Sequence, residues 1–170
     1  TRLNLILIGL VFATPTSAGE SKIYSLKTRP GVEVRFRYFQ TDGAPATIIY
    51  FEGGPGRPDL RVNYQKFGFG SHARELFHSH GFNLAIVDAP SDQTDFNGGM
   101  RPLFRSTAEH TRDSDQVIKW IREKSNLPIW LIGMSLGTRS VAHLAVNASQ
   151  AFDGMVLLSS STNPPRGKSI

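Results

Sequence analysis

The chain has 170 residues, 39% of them hydrophobic and 19% charged, which is the balance of a globular protein long enough to bury a core as one domain. Its formal net charge of +5 is spread along the sequence rather than gathered into a basic block, which argues against a nucleic-acid surface because phosphate binding needs clustered cations. There is no cysteine, so the fold relies on packing without disulfides.

The amino end places Arg2 ahead of an apolar run from Leu5 to Ala13, followed by Thr14-Pro15-Thr16-Ser17-Ala18. One positive charge, a short apolar core and small residues at Thr16 and Ala18 predict a secretory signal over residues 1–18, with the folded domain at 19–170. The run is too short to span a bilayer comfortably and no second apolar stretch follows, so stable membrane insertion is not expected. Export without cysteine suits a bacterial periplasm or exterior.

Ser21 to Leu26 and Val32 to Phe39 read as two strands joined by a turn at Thr28-Arg29-Pro30-Gly31. Val32, Val34, Phe36 and Tyr38 alternate with Glu33, Arg35 and Arg37, the period of a half-buried antiparallel strand. Thr47 to Phe51 is apolar enough for a strand covered on both faces, and it ends in Glu52-Gly53-Gly54-Pro55-Gly56. A loop rich in Pro, Gly and aromatics runs on to Gly70, and Ser71 to His80 has Ala73, Leu76 and Phe77 at helical spacing before Gly81. Leu84 to Val87 is the next buried strand and delivers Asp88-Ala89-Pro90-Ser91-Asp92. Ser106-x-x-Glu109 predicts a capping box for a helix whose Val117, Trp120 and Ile121 face the sheet.

After Pro128 the apolar run Ile129 to Ile132 feeds into Gly133-Met134-Ser135-Leu136-Gly137, then a helix to about Ala148 and a last strand over Phe152 to Leu158. G-x-S-x-G between a strand and a helix is the turn that holds a serine hydroxyl clear of the backbone, so Ser135 is the candidate nucleophile. Residues two before and two after that serine crowd each other, and glycine alone lacks the offending Cβ. Strand and helix alternate from Thr47 onward, which predicts a mostly parallel sheet with helices on both faces behind antiparallel leading strands.

This order of parts resembles the α/β-hydrolase fold, over about Ile23 to Ser161, with its carboxy-terminal strands missing. More narrowly it is similar to exported bacterial α/β hydrolases that carry V-D-x-P-S-D and W-L-x-G-x-S-x-G-T, here Val87 to Asp92 and Trp130 to Thr138. The resemblance implies a serine hydrolase acting through an acyl-enzyme, with an oxyanion hole made by the N–H of Leu136 and an N–H at Gly53 or Gly54. Glu52 stands where many relatives carry histidine before the paired glycines. A carboxylate there opposes an oxyanion unless it points away or is paired, and a structural role is expected for it.

A serine hydroxyl needs a histidine base and a carboxylate to orient it. In this fold both follow the serine, yet after Ser135 there is one acid, Asp153, at the wrong end of the sheet, and one histidine, His143, two helical turns past the turn. His72, His78, His80 and His110 read as surface or packing. The acid and base are therefore expected beyond Ile170, with Asn163 to Lys168 as a loop leading there, and this chain alone is expected to be nearly inactive.

A small-molecule carboxylic ester is the expected substrate. Glu52 to Gly56 is also similar to the H-G-G-P-G loop of proline iminopeptidase-like enzymes, which makes an amide substrate the alternative, although Asp88-Ala89-Pro90-Ser91 departs from their D-x-R-G. A non-catalytic scaffold or inactive truncated product is the third reading. Phe96, Met100 and Phe104 either line an acyl pocket or cover the core. No metal cluster, phosphate loop or nucleotide fingerprint occurs in the sequence, so no cofactor is expected.

Overall fold

The computed structural model describes residues 21–58, 60 and 76–160. The expected signal segment, most of the loop to Gly70, the first half of the helix at 71–80, His72 and the loop at 163–168 lie outside the described residues.

Six strands form one sheet: β1 Ser21–Arg29, β2 Val32–Phe39, β3 Thr47–Phe51, β4 Asn83–Val87, β5 Ile129–Met134 and β6 Gly154–Leu158. Their spatial order is β1-β2-β4-β3-β5-β6. β1 pairs antiparallel with β2 and β2 antiparallel with β4, whereas β3, β4, β5 and β6 run parallel to their neighbours. Ile49 of the central strand is flanked by Ala85 and Leu131, so the three apolar runs read from the sequence lie side by side.

Two helices are complete among the described residues, α1 Ala108–Lys124 and α2 Gly137–Asn147. Both pack on one sheet face, where Val117, Ile118, Ile121, Val141 and Leu144 meet Val34, Phe36, Ile49, Phe51 and Leu131. Burying each such side chain contributes about 1.5–3 kcal/mol. Trp120 caps this layer against Tyr24, Phe36 and Tyr38, with centroids 4.5 to 5.5 Å away. On the opposite face Ile48, Tyr50, Leu84, Ile86 and Ile132 are covered by Phe77, in the helical turn 76–79, together with Phe82 and Leu60.

Three boundaries differ from the sequence reading. β1 continues through Arg29, because that guanidinium bonds Asp113 on α1 at 2.8 and 2.9 Å and Asp92 at 2.9 and 3.0 Å, which holds the strand end down. The α1 cap is Thr107 and not Ser106. Ser106 belongs to a 3-10 turn, Phe104–Ser106, and the Thr107 hydroxyl accepts from the His110 N–H at 3.3 Å. β6 begins at Gly154 rather than Phe152, since Asp153 turns its carboxylate back onto the Ile129 N–H at 2.8 Å.

Candidate active site

β5 ends at Met134 and α2 begins at Gly137, so the chain reverses within two residues. Ser135 sits at that reversal with φ 50°, in the left-handed region that costs a non-glycine residue about 1–2 kcal/mol. The strain is held from both sides. The Ser135 N–H donates to the Leu158 carbonyl of β6 at 2.9 Å, and its own carbonyl accepts from the Thr138 N–H at 3.1 Å and the Thr138 hydroxyl at 2.6 Å.

The flanking glycines are crowded as expected, with one refinement. A Cβ on Gly133 would lie 2.5 Å from the Gly137 carbonyl oxygen. A Cβ on Gly137 would meet not Gly133 but the end of β3, colliding with the Phe51 carbonyl and lying 2.9 Å from that of Glu52. The start of α2 is thereby pressed against the strand that carries the glycine loop.

That loop reaches Ser135 at Gly53. A Cβ there would lie 3.0 Å from the Met134 carbonyl oxygen and 3.1 Å from the Ser135 Cβ, so only glycine lets the backbone approach this closely. Gly54 has φ 53° with open space around it. The Gly56 N–H closes the turn onto the Gly53 carbonyl at 3.0 Å. Leu136 stands at the amino end of α2, where the first N–H groups have no partner within the helix. Ser135, Leu136 and Gly53 are thus brought together, with Gly54 beside them.

Glu52 does not point away. Its Oε1 accepts from the Gly53 N–H at 3.3 Å; burial raises its carboxyl above the ordinary range, while that bond and the nearby Arg105 charge pull the other way. Arg105 is the residue the sequence reading missed. It is fully buried and donates through Nη1 to Ser140 Oγ at 3.0 Å and through Nη2 to the carbonyls of Glu52 and Gly54 at 3.1 and 3.0 Å. Burial lowers its pKa to about 10, which leaves it charged at neutral pH. A charged residue in a loop reads as solvated, and no local pattern marks it otherwise.

The V-D-x-P-S-D segment is structural. Asp88 bonds Arg35 at 2.8 Å and caps the Ala89 N–H at 2.9 Å, Ser91 exchanges two bonds with Glu33, and Asp92 holds Arg29. Burial raises the Asp88 carboxyl despite its arginine partner. Met100 and Phe104 pack inward: Met100 is buried against Gly56, and Phe104 lies edge-on to His110, with the Arg29 guanidinium 5.9 Å from its centroid.

None of the four described histidines bonds Ser135. His110 is buried between Phe51 and Phe104, His143 meets the Asn147 side chain at 3.2 Å, His78 lies beside Thr41 and Phe39, and His80 caps the Leu76 carbonyl. Asp153 bonds Ile129 and Arg122 at the end of the sheet opposite Ser135. No helix among the described residues is long and apolar enough to cross a membrane.

The strand order, the parallel centre and the strained turn between β5 and α2 define an α/β-hydrolase fold, of which this chain forms part. The chain is similar in structure to an esterase of Pyrococcus furiosus, with 18% identity and a TM-score of 0.59 over 84% of this chain and 51% of that one. It is also similar to a cold-adapted esterase from an Arctic intertidal metagenomic library, at 16% identity and TM-score 0.59 over 81% and 59%. A third is brefeldin A esterase, a bacterial homologue of human hormone-sensitive lipase, at 18% identity and TM-score 0.52 over 81% and 38%. The chain spans between 38% and 59% of the length of these proteins. No model of a known protein family matches the sequence, and no curated protein matches it.

Proposed function

We propose that this chain carries the nucleophile half of a serine hydrolase that cleaves carboxylic esters through an acyl-enzyme. The observation that carries the reading is Ser135 held at φ 50° with Gly53 packed against it, since a strained turn that presents a serine beside a backbone donor suits attack on a carbonyl and support of its oxyanion. In this reading Ser135 Oγ attacks the ester carbonyl carbon and gives its proton to a histidine. The oxyanion accepts from the N–H groups of Leu136 and Gly53 or Gly54, and its collapse expels the leaving oxygen, which takes the proton from the histidine and departs as the alcohol. Water then gives a proton to the same histidine and attacks the acyl carbon, and the second collapse releases the acid and returns the proton to Ser135 Oγ. The histidine and its carboxylate come from outside the described residues, because the histidines at 78, 80, 110 and 143 are engaged elsewhere.

The leading segment and the lack of cysteine support export to the periplasm or beyond. Cell fractionation, with cleavage after Ala18, tests that part. The chemistry is tested by a fluorophosphonate probe and a panel of p-nitrophenyl esters and aminoacyl anilides on the full-length protein. Ester turnover and labelling should both vanish in Ser135→Ala. Turnover surviving that change refutes the nucleophile assignment, and a preference for anilides moves the substrate class to peptides. The 170-residue chain should label weakly or not at all.

A further inference from the structure

We propose that Arg105 is the positioning residue of this site: it locks the glycine loop to the nucleophile helix and turns the Gly53 N–H toward the reacting centre. The proposal rests on the hydrolase reading above. One guanidinium joins two segments that the chain keeps far apart, since Nη2 takes the carbonyls of Glu52 and Gly54 and Nη1 takes Ser140 Oγ, one turn into α2. Arg105 and Ser140 are both fully buried, so no water competes for these bonds.

The orientation follows from peptide geometry. All described peptide bonds are trans, so the carbonyl and the N–H of one peptide unit point to opposite sides of the chain. Drawing the Glu52 carbonyl inward onto Arg105 therefore turns the Gly53 N–H away from Arg105. Gly53 itself is packed against Ser135, with its missing Cβ only 3.1 Å from the serine Cβ. The second carbonyl that Arg105 holds, Gly54, belongs to the peptide preceding Pro55, which has no N–H to present. The unit carrying the Gly54 N–H is held instead through the Gly53 carbonyl, by Gly56 at 3.0 Å. Of the two loop donors left open by the sequence, Arg105 orients Gly53.

That N–H meets Glu52 Oε1 at 3.3 Å, the long end of the hydrogen-bond range, so a developing oxyanion has a weak contact to displace. Arginine is required because a planar fork can serve two carbonyls and a hydroxyl at fixed angles; a lysine ammonium is a point donor on a flexible stem.

The test compares wild type, Arg105→Lys and Ser140→Ala in the full-length protein. Two quantities are measured: p-nitrophenyl ester turnover, and affinity for a trifluoromethyl ketone that forms the tetrahedral adduct on serine. Losing one oxyanion donor costs about 10²–10³ in rate, so Arg105→Lys should lower kcat by about 100-fold with KM changed less than about threefold, and ketone affinity should fall in parallel. Ser140→Ala should show the same split at smaller amplitude. A folded Arg105→Lys protein with kcat and ketone affinity within about threefold of wild type overturns the proposal. If that variant does not fold, unchanged ketone affinity in Ser140→Ala overturns it instead. A wild type that neither turns over ester nor captures the ketone overturns the hydrolase reading and this proposal with it, whereas an active wild type with an unimpaired Arg105→Lys overturns this proposal alone.

Discussion

His110 should make this fold sensitive to mild acid. The side chain is 3% exposed on α1, edge-on to Phe51 and Phe104 at centroid distances of 6.1 and 5.7 Å, and neither ring nitrogen has a partner among the described residues. Burial, reinforced by the charge of Arg105 and less by His143 and Arg29, pushes its pKa down to about 3 from an ordinary value of 6.5. The folded protein therefore keeps the ring neutral where the unfolded chain takes up a proton. Its contribution to stability is complete above the unfolded value of about 6.5 and is lost as pH falls from there toward the folded value, at about 1.4 kcal/mol per pH unit. At about pH 5 the loss amounts to about 2 kcal/mol, a sizeable part of the 5–15 kcal/mol that holds an ordinary domain together.

The perturbation is His110→Phe, which keeps an aromatic ring between the same neighbours and cannot titrate. Urea unfolding followed by circular dichroism at about pH 7 and about pH 5 gives four free energies. Wild type should lose about 2 kcal/mol more than the variant between the two conditions, and this double difference removes any packing cost of the larger ring together with the titration of the other histidines. Equal pH dependence in the two proteins, or a His110 resonance titrating near 6.5 in the folded state, refutes the reasoning.

Two further substitutions probe the turn. Ser135→Gly removes the side chain from φ 50° and should raise stability by about 1 kcal/mol once glycine's extra freedom in the unfolded chain is subtracted, seen as a Tm a few degrees higher; an unchanged or lower Tm means the turn is not strained. Gly137→Ala puts a carbon into the Phe51 carbonyl and should cost about 3 kcal/mol or more, whereas Gly54→Ala, with open space and only an unfavourable φ of 53°, should cost about 1 kcal/mol; similar Tm values for the two would show that α2 is not pressed on β3.

The sheet was legible where one local rule governed each residue. Val32, Val34, Phe36 and Tyr38 are buried and Glu33 and Arg35 exposed because a strand alternates its faces, and Thr47 to Phe51 is buried throughout because both faces are covered. The turn at Ser135 was legible from its glycine spacing, and Gly133 does answer to local crowding against Gly137; Gly137 answers instead to the Phe51 carbonyl of β3, far away in the sequence. Arg105 was not, since its burial depends on acceptors at Glu52, Gly54 and Ser140, more than thirty positions away on either side. The same residue accounts for the misplaced helix cap: the 3-10 turn that carries Arg105 inward absorbs Ser106 and leaves the capping to Thr107. Glu52 stands out in the sequence before the paired glycines, but its bond to the next residue's N–H depends on a side-chain rotamer that no pattern encodes.

The bond from the Ser135 N–H to the Leu158 carbonyl ties the turn to the outermost described strand on that side of the sheet. Biosynthesis runs from the amino end, so β3, β4 and β5 can be exposed and ready to pair while β6 is still inside the ribosome. Until Leu158 emerges and docks, the serine lacks one of the restraints that keep it at positive φ. Proteolytic loss or local peeling of β6 should act in the same way, loosening Ser135 while most of the core remains packed.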